Sequence, residues 1–356
     1  MKRLIIVGNG FDLAHGMKTS YSDFILWCVR KIFLQTNPNS TTLHPLMTVE
    51  QGSYFDTRVE QFSFDDFLTF YHDSDHALSH RPYSFRIPNS FMKRVILHCR
   101  DCRWVDIETE FYDELKRIQR IEANHKKEKE LNDLNEAFAV LQVLLEEYLL
   151  TLPTVSINPE FTDRFQENFQ DTDFLPDAKF EPVPESILVL SFNYTELVSK
   201  VDGVGKIKVT HIHGQLASEK NPMIFGFGDE LDDSYKPFEL EKARGFFRYI
   251  KSFGYFQANH YRDLVRFIES DEYQVDVVGH SCGLSDRTML NMIFEHKNCK
   301  SVRLFYYRNF RNLVEDISRH FTDKQRMRRL IVPYERSIPM PQVAGEPHEL
   351  QLNILG

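Results

Sequence analysis

The chain opens on a short apolar run, Arg3-Leu4-Ile5-Ile6-Val7, that breaks at once into Gly8-Asn9-Gly10. A run with no polar alternation suits a strand buried on both faces of a parallel sheet. Comparable runs return far downstream, at residues 187–192, 207–212, 275–278 and 301–306. Helical patterns at 259–270, 286–297 and 309–321 alternate with the later runs. Strand–helix–strand alternation predicts βαβ units, hence a parallel sheet with right-handed crossovers. Near the start, Phe24, Ile25, Trp27, Cys28 and Ile32 form an apolar stripe that predicts a helix beginning about Ser20.

Residues 36–185 depart from this rhythm. Residues 36–60 are polar and loop-like, with Asn, Ser, Thr and Pro clustered. Segments 105–121 and 127–151 read as amphipathic helices, the second carrying Leu131, Leu134, Phe138, Leu141, Leu144 and Leu145. The charged stretch between them predicts a solvated turn, and 152–185 reads as irregular. The fold class expected is α/β, a Rossmann-like parallel sheet with a large helical insertion. Residues 1–35 and 186–332 would build the Rossmann-like core, 36–185 the mostly helical insertion, and 333–356 an extended tail.

Composition narrows the function classes. A chain of 356 residues, 42% hydrophobic, can bury a substantial core. A formal net charge of −9 argues against a protein that grips nucleic acid along a broad basic surface, so no nucleic-acid partner is expected. No apolar run approaches the ~20 residues of a membrane span. The five cysteines, Cys28, Cys99, Cys102, Cys282 and Cys299, are odd in number and scattered, as free thiols of a reducing, cytoplasmic compartment are. Cys99 and Cys102 have zinc-knuckle spacing beside His98, but no second pair completes four ligands, so no metal is expected.

Four chemistry-bearing segments each follow a predicted strand: Gly8–Asp12, Ser191–Thr195, His211–Gly214 and Gly279–Gly283. The carboxyl edge of an open parallel sheet is where ligands bind, since loops and helix N-termini converge there. Gly8 and Gly10 either cradle a phosphate or simply form a tight turn; G-x-G lacks the third glycine of the dinucleotide fingerprint. Asn193 can orient a water or ribose hydroxyl, or cap a helix. His213 titrates near neutrality and suits a general base, or a structural role. Gly279-His280-Ser281-Cys282-Gly283 also satisfies the G-x-S-x-G elbow of a serine hydrolase, with Asp316 and His320 or His348 as relay candidates. It has no oxyanion segment before it, and Leu284-Ser285-Asp286 reads as a loop and cap.

Taken together these segments resemble the AbiH family of bacterial phage abortive-infection proteins. The resemblance rests on Ile5–Gly16 with Thr19-Ser20-Tyr21, Trp104–Glu108, Phe192-Asn193-Tyr194, His211–Gly214, Ile224–Glu230 and Val278–Asp286. That family in turn resembles sirtuin-like NAD-binding proteins, in which a glycine loop, an Asn after a strand, a His-Gly pair and a Gly-x-Ser loop surround NAD in this order. The resemblance implies an NAD glycohydrolase with His213 and Asn193 catalytic. NAD, as substrate or ligand, would contact Gly8, Asn9, Gly10, Phe11, Asp12, Tyr194, Gly214, Gly279, Ser281 and Asp286. The two cysteine pairs of the sirtuin zinc module are missing, so protein deacetylation is not implied. A non-catalytic NAD or ADP-ribose sensor is the alternative, with a second copy or a defence protein as partner.

Overall fold

The computed structural model describes residues 1–51, 59–71, 83–87, 90–102, 106–176, 178 and 180–342. Its strands in chain order are β1 (Lys2–Val7), β2 (Thr41–Leu43), β3 (Thr48–Gln51), β4 (Tyr83–Arg86), β5 (Ile187–Ser191), β6 (Ile207–His211), β7 (Tyr273–Val278), β8 (Cys299–Tyr306) and β9 (Ile338–Pro339). Two compact units form. One comprises Met1–Lys18, Leu152–Asp233 and the chain from Ile250 onward; the other comprises Thr19–Thr151 and Ser234–Tyr249.

In the first unit six strands pair in parallel in the order β6-β5-β1-β7-β8-β9. From β1 the chain steps outward to β5 and β6, then crosses back to β7 on the other side of β1. The order therefore reverses between β1 and β7. Helices cover both faces. Leu4, Ile6, Leu190, Val277 and Leu304 pack against helices His260–Ser270, Arg287–Glu295 and Phe310–Ser318. Ile5, Val7, Val189, Val278 and Phe305 pack against helices Asn9–Ala14 and Pro159–Gln166. Burial on both faces is why the strands read as unbroken apolar runs, and each such side chain contributes about 1.5–3 kcal/mol.

The amino half of the sheet holds charges. Arg303 clasps Asp276 with two hydrogen bonds of 2.9 and 2.7 Å, and Arg3 Nε stands 3.3 Å from the same carboxylate. Glu167 pairs with Arg303, while Arg3 donates to the carbonyls of Phe165 and Glu167. All three central residues are buried, so each charge depends on its partners.

Local structure differs from the sequence pattern in three places. The helix expected from about Ser20 runs Tyr21–Leu34 with Ser20 as its N-cap, but a further short helix, Asn9–Ala14, precedes it directly after Gly8. Only Phe11 and Ala14 give it a buried apolar side, too few to show a period. The stretch thought irregular contains helix Pro159–Gln166, with Pro159 in its first turn and Asn158 accepting from the Glu160 N–H at 3.0 Å. In the polar stretch 36–60, β2 and β3 pair antiparallel, and β3 pairs with β4. Strands of three and four residues are too short to declare themselves by alternation.

The second unit is built on helices Ile107–Gln119 and Asn124–Thr151, close to expectation. Their rings Phe111 and Phe138 meet at a tilt with centroids 4.1 Å apart, and Tyr249 closes on Phe138 at 4.8 Å. Phe33, Phe67, Tyr83 and Phe85 form a second aromatic cluster.

Candidate functional site

The loops after β1 and β7 meet where the strand order reverses, and they interlock through glycines. The Gly10 N–H donates to the Gly279 carbonyl at 2.7 Å and the Gly8 N–H to Val278 at 3.2 Å. A Cβ on Gly8 would lie 2.6 Å from His280 Cα, and one on Gly10 would lie 2.7 Å from the Gly279 oxygen. Gly279 itself has φ +67°, and its Cβ would fall 2.3 Å from the Phe11 nitrogen. These three positions must be glycine because two backbones touch. The contact accounts for the sequence pattern without a phosphate, and it fixes both loops at the crevice.

A polar group surrounds this seam at the end of β5. The Asn193 side-chain amide donates to the Gly8 carbonyl at 3.1 Å, tying the β5 loop to the glycine turn. Thr195 Oγ1 donates to Asp12 Oδ2 at 2.6 Å. Asp12 is buried, and burial pushes its carboxyl up to about 6 despite the hydrogen bonds of Thr195 and Asn193. His211, at the end of β6, bonds Ser199 Oγ at 2.7 Å and the Asn193 carbonyl at 3.1 Å, a positioning role. Phe11 turns its ring into the core against Phe161, and Tyr194 spends its hydroxyl on the Ile224 carbonyl. Asn9 is exposed.

The second group centres on a buried carboxylate, Asp286. Lys251 Nζ lies 2.8 Å from Asp286 Oδ1, His213 Nε2 lies 3.2 Å from the same oxygen, and His280 Nε2 lies 3.6 Å from Oδ2. The ring of Phe192 stands edge-on to both imidazoles, with centroids 4.9 Å from His213 and 4.3 Å from His280. Gly214, at φ +87°, lets residues 221–224 close over the strand end, so that the Ile224 N–H reaches the His213 carbonyl at 2.7 Å. The Phe227 carbonyl receives the Lys251 N–H at 2.9 Å, which holds the lysine in place.

Electrostatics divide the protons cleanly. Burial pushes His280 down to about 4 and lowers His213, with Lys251 adding to the latter shift. Burial would raise Asp286, but Lys251 and then His213 pull it well below the usual carboxylate range. At neutral pH the cluster is therefore one buried ion pair flanked by two neutral imidazoles. The Cys282 N–H donates to His280 Nδ1 at 2.9 Å, which leaves the proton of neutral His280 on Nε2, facing Asp286. His213 Nε2 also lies 3.2 Å from the Tyr255 hydroxyl. A neutral imidazole beside a fixed carboxylate can take a proton and have the resulting cation stabilised.

The predicted residues do not all converge. Ser281 is exposed and makes no hydrogen bond among the described residues. His320 Nε2 is engaged by the Cys282 carbonyl at 2.7 Å, and Asp316 pairs with Arg319. No serine relay is assembled from them, and His348 lies outside the described residues. Cys99 is buried, whereas the Cys102 side chain and Trp104 lie outside the described residues. Among the described residues no group of three His, Cys, Asp or Glu side chains is arranged to hold a metal ion. Also among them, no helix is long and apolar enough to cross a membrane. Sequence reasoning placed His280 and Thr195 in chemistry-bearing segments without giving them a role, and it missed Lys251 and Tyr255 altogether. Thr195 lay two residues from Asn193 and was within reach of the same argument; Lys251 carries no local signal.

No curated protein matches the chain. Residues 4–308, running from β1 past the end of β8, match the family model described as bacteriophage abortive infection AbiH. The match spans both polar groups and the glycine seam, and the chain belongs to the AbiH family of bacteriophage abortive-infection proteins.

Proposed function

We propose that this abortive-infection protein binds NAD in a Rossmann-like, sirtuin-like pocket and hydrolyses its nicotinamide–ribose bond. The observation that carries the reading is convergence: loops from β1, β5, β6 and β7 bring Asn193, Asp12, His213 and Asp286 to one sheet edge, at the point of order reversal. Ligands of open α/β sheets bind at such switch points. Numbered within the sheet, the strand order is that of the doubly wound dinucleotide-binding folds. The sequential order of glycine turn, Asn, His-Gly and Gly-x-Ser, similar to that of sirtuin-like proteins, supports the same ligand.

In this reading NAD is the substrate, and water replaces nicotinamide at the ribose anomeric carbon. The departing C–N bond electrons go to nicotinamide, and positive charge builds on the ribose, as in glycoside hydrolysis. Water, or a ribose hydroxyl, gives its proton to neutral His213, and Asp286 stabilises the imidazolium. Asn193, tied to Gly8, orients the water; Asp12 supports that geometry beside Thr195. Gly8, Asn9, Gly10, Tyr194, Gly214, Gly279 and Ser281 line or shape the nucleotide path. Cellular NAD, measured after phage challenge with and without expression, tests the role: it should collapse only with the protein present. Unchanged NAD in cells that the protein protects would overturn it.

One observation favours a second reading, a nucleotide-binding module without turnover. His213 is buried, with Nε2 already facing both Asp286 and Tyr255. Calorimetric binding of ADP-ribose with no nicotinamide release, even in infected-cell lysate, would select it.

A further inference from the structure

A groove of about 640 Å³ opens in the segment from Tyr255 to Arg266, within the size range of small-molecule sites. Three aromatic rings line it: Tyr255, Phe256 and Tyr261. Tyr255 and Tyr261 are stacked nearly parallel, with centroids 5.6 Å apart and planes 9° from each other. Phe256 is 85% exposed, a ring left uncovered beside an open groove. Two arginines one helical turn apart complete the lining, Arg262 and Arg266. Arg266 is paired with Asp263 at 3.2 Å, whereas Arg262 makes no ion pair or hydrogen bond among the described residues.

Rings that offer π-faces beside a free guanidinium suit a ligand that is planar and anionic at once. A purely apolar occupant would leave Arg262 unused, and a bare anion would leave Phe256 uncovered. Tyr255 belongs to both places: its ring lines the groove while its hydroxyl stands 3.2 Å from His213 Nε2, and the two rings lie almost parallel at 6.2 Å. The groove is thus one side chain away from the Asp286 cluster.

Resting on the nucleotide reading above, we propose that this groove is a binding site for the base-and-phosphate portion of a nucleotide. The base stacks over Phe256 and the tyrosine pair, and the phosphate meets Arg262. Base–aromatic stacking and an arginine–phosphate contact each change affinity by about tenfold or more.

The test titrates AMP into the full-length protein by calorimetry, beside adenosine and inorganic phosphate. Wild type should bind AMP, and adenosine or phosphate alone should bind at least tenfold more weakly. Phe256→Ala and Arg262→Glu alter exposed side chains, so both should melt with the wild type and weaken AMP about tenfold each. The proposal is overturned if wild type does not bind AMP at millimolar concentration, or if both groove variants bind it within twofold of wild type. Phosphate binding as tightly as AMP also overturns it, because the rings would then contribute nothing. If the wild type binds AMP through these residues yet releases no nicotinamide from NAD, the cleavage reading fails and the groove assignment stands.

Discussion

Replacing Asp12 by Asn isolates the energetic cost of keeping a buried carboxyl beside the glycine seam. Asp12 is 1% exposed, and its carboxyl rises from the ordinary 3.8 to about 6. At about 1.4 kcal/mol per pH unit, folding with the ionised group costs about 3 kcal/mol. The sign follows from linkage: a raised folded-state value favours the protonated form, so the group adds no penalty below pH 3.8 and the full penalty well above 6. About half of the penalty is present at pH 5, and the remaining ~1.4 kcal/mol develops between pH 5 and 8. Asp12→Asn keeps an acceptor for Thr195 and removes the titration. Equilibrium urea unfolding at pH 5 and pH 8 should show the variant gaining about 1.4 kcal/mol on the wild type over that interval. At pH 8 it should be the more stable of the two, as expected where a buried charge is removed and its hydrogen bond kept. A variant whose stability tracks the wild type at both pH values would refute the reasoning.

Other residues give sharper yes-or-no outcomes. Gly279→Ala forces a Cβ to within 2.3 Å of backbone and should cost roughly 3 kcal/mol or more, seen in the urea midpoint. Gly16→Ala, with φ +79° but open space around it, should cost only about 1 kcal/mol; equal losses would mean the seam is not tight. Lys251→Met leaves Asp286 as an uncompensated buried charge and should cost about 3–5 kcal/mol, much of it recovered by adding Asp286→Asn; additive losses would exclude the pairing. Cys28, Cys99, Cys282 and Cys299 are all buried with thiols pushed up by burial, so iodoacetamide at pH 7.5 should modify them only after unfolding, as mass spectrometry of the native protein can check.

The parallel sheet was legible because its strands are buried on both faces, and a run such as Leu4–Val7 admits few other readings. The carboxyl-edge segments were legible for the same reason, since each sits where such a run stops. Why Gly8 and Gly10 are glycines was not legible, because their counterpart, Gly279, lies some 270 residues downstream. Nor was the pairing of Asp286 with Lys251, which joins a helix cap to a segment with no apolar period. The charge network of Asp276 was hidden as well, because its arginine partners on β1 and β8 are set by register across three strands. Short polar strands such as Thr41–Leu43 stayed hidden because alternation over three residues is no signal.

In the proposed reaction His213 accepts the proton as nicotinamide leaves. Nicotinamide released from NAD by purified protein, followed chromatographically for wild type and His213→Ala at equal concentration, tests it most directly. The wild type should release nicotinamide and the variant roughly a hundredfold less or lower still, the scale of a lost general base. Equal release by both proteins would contradict it.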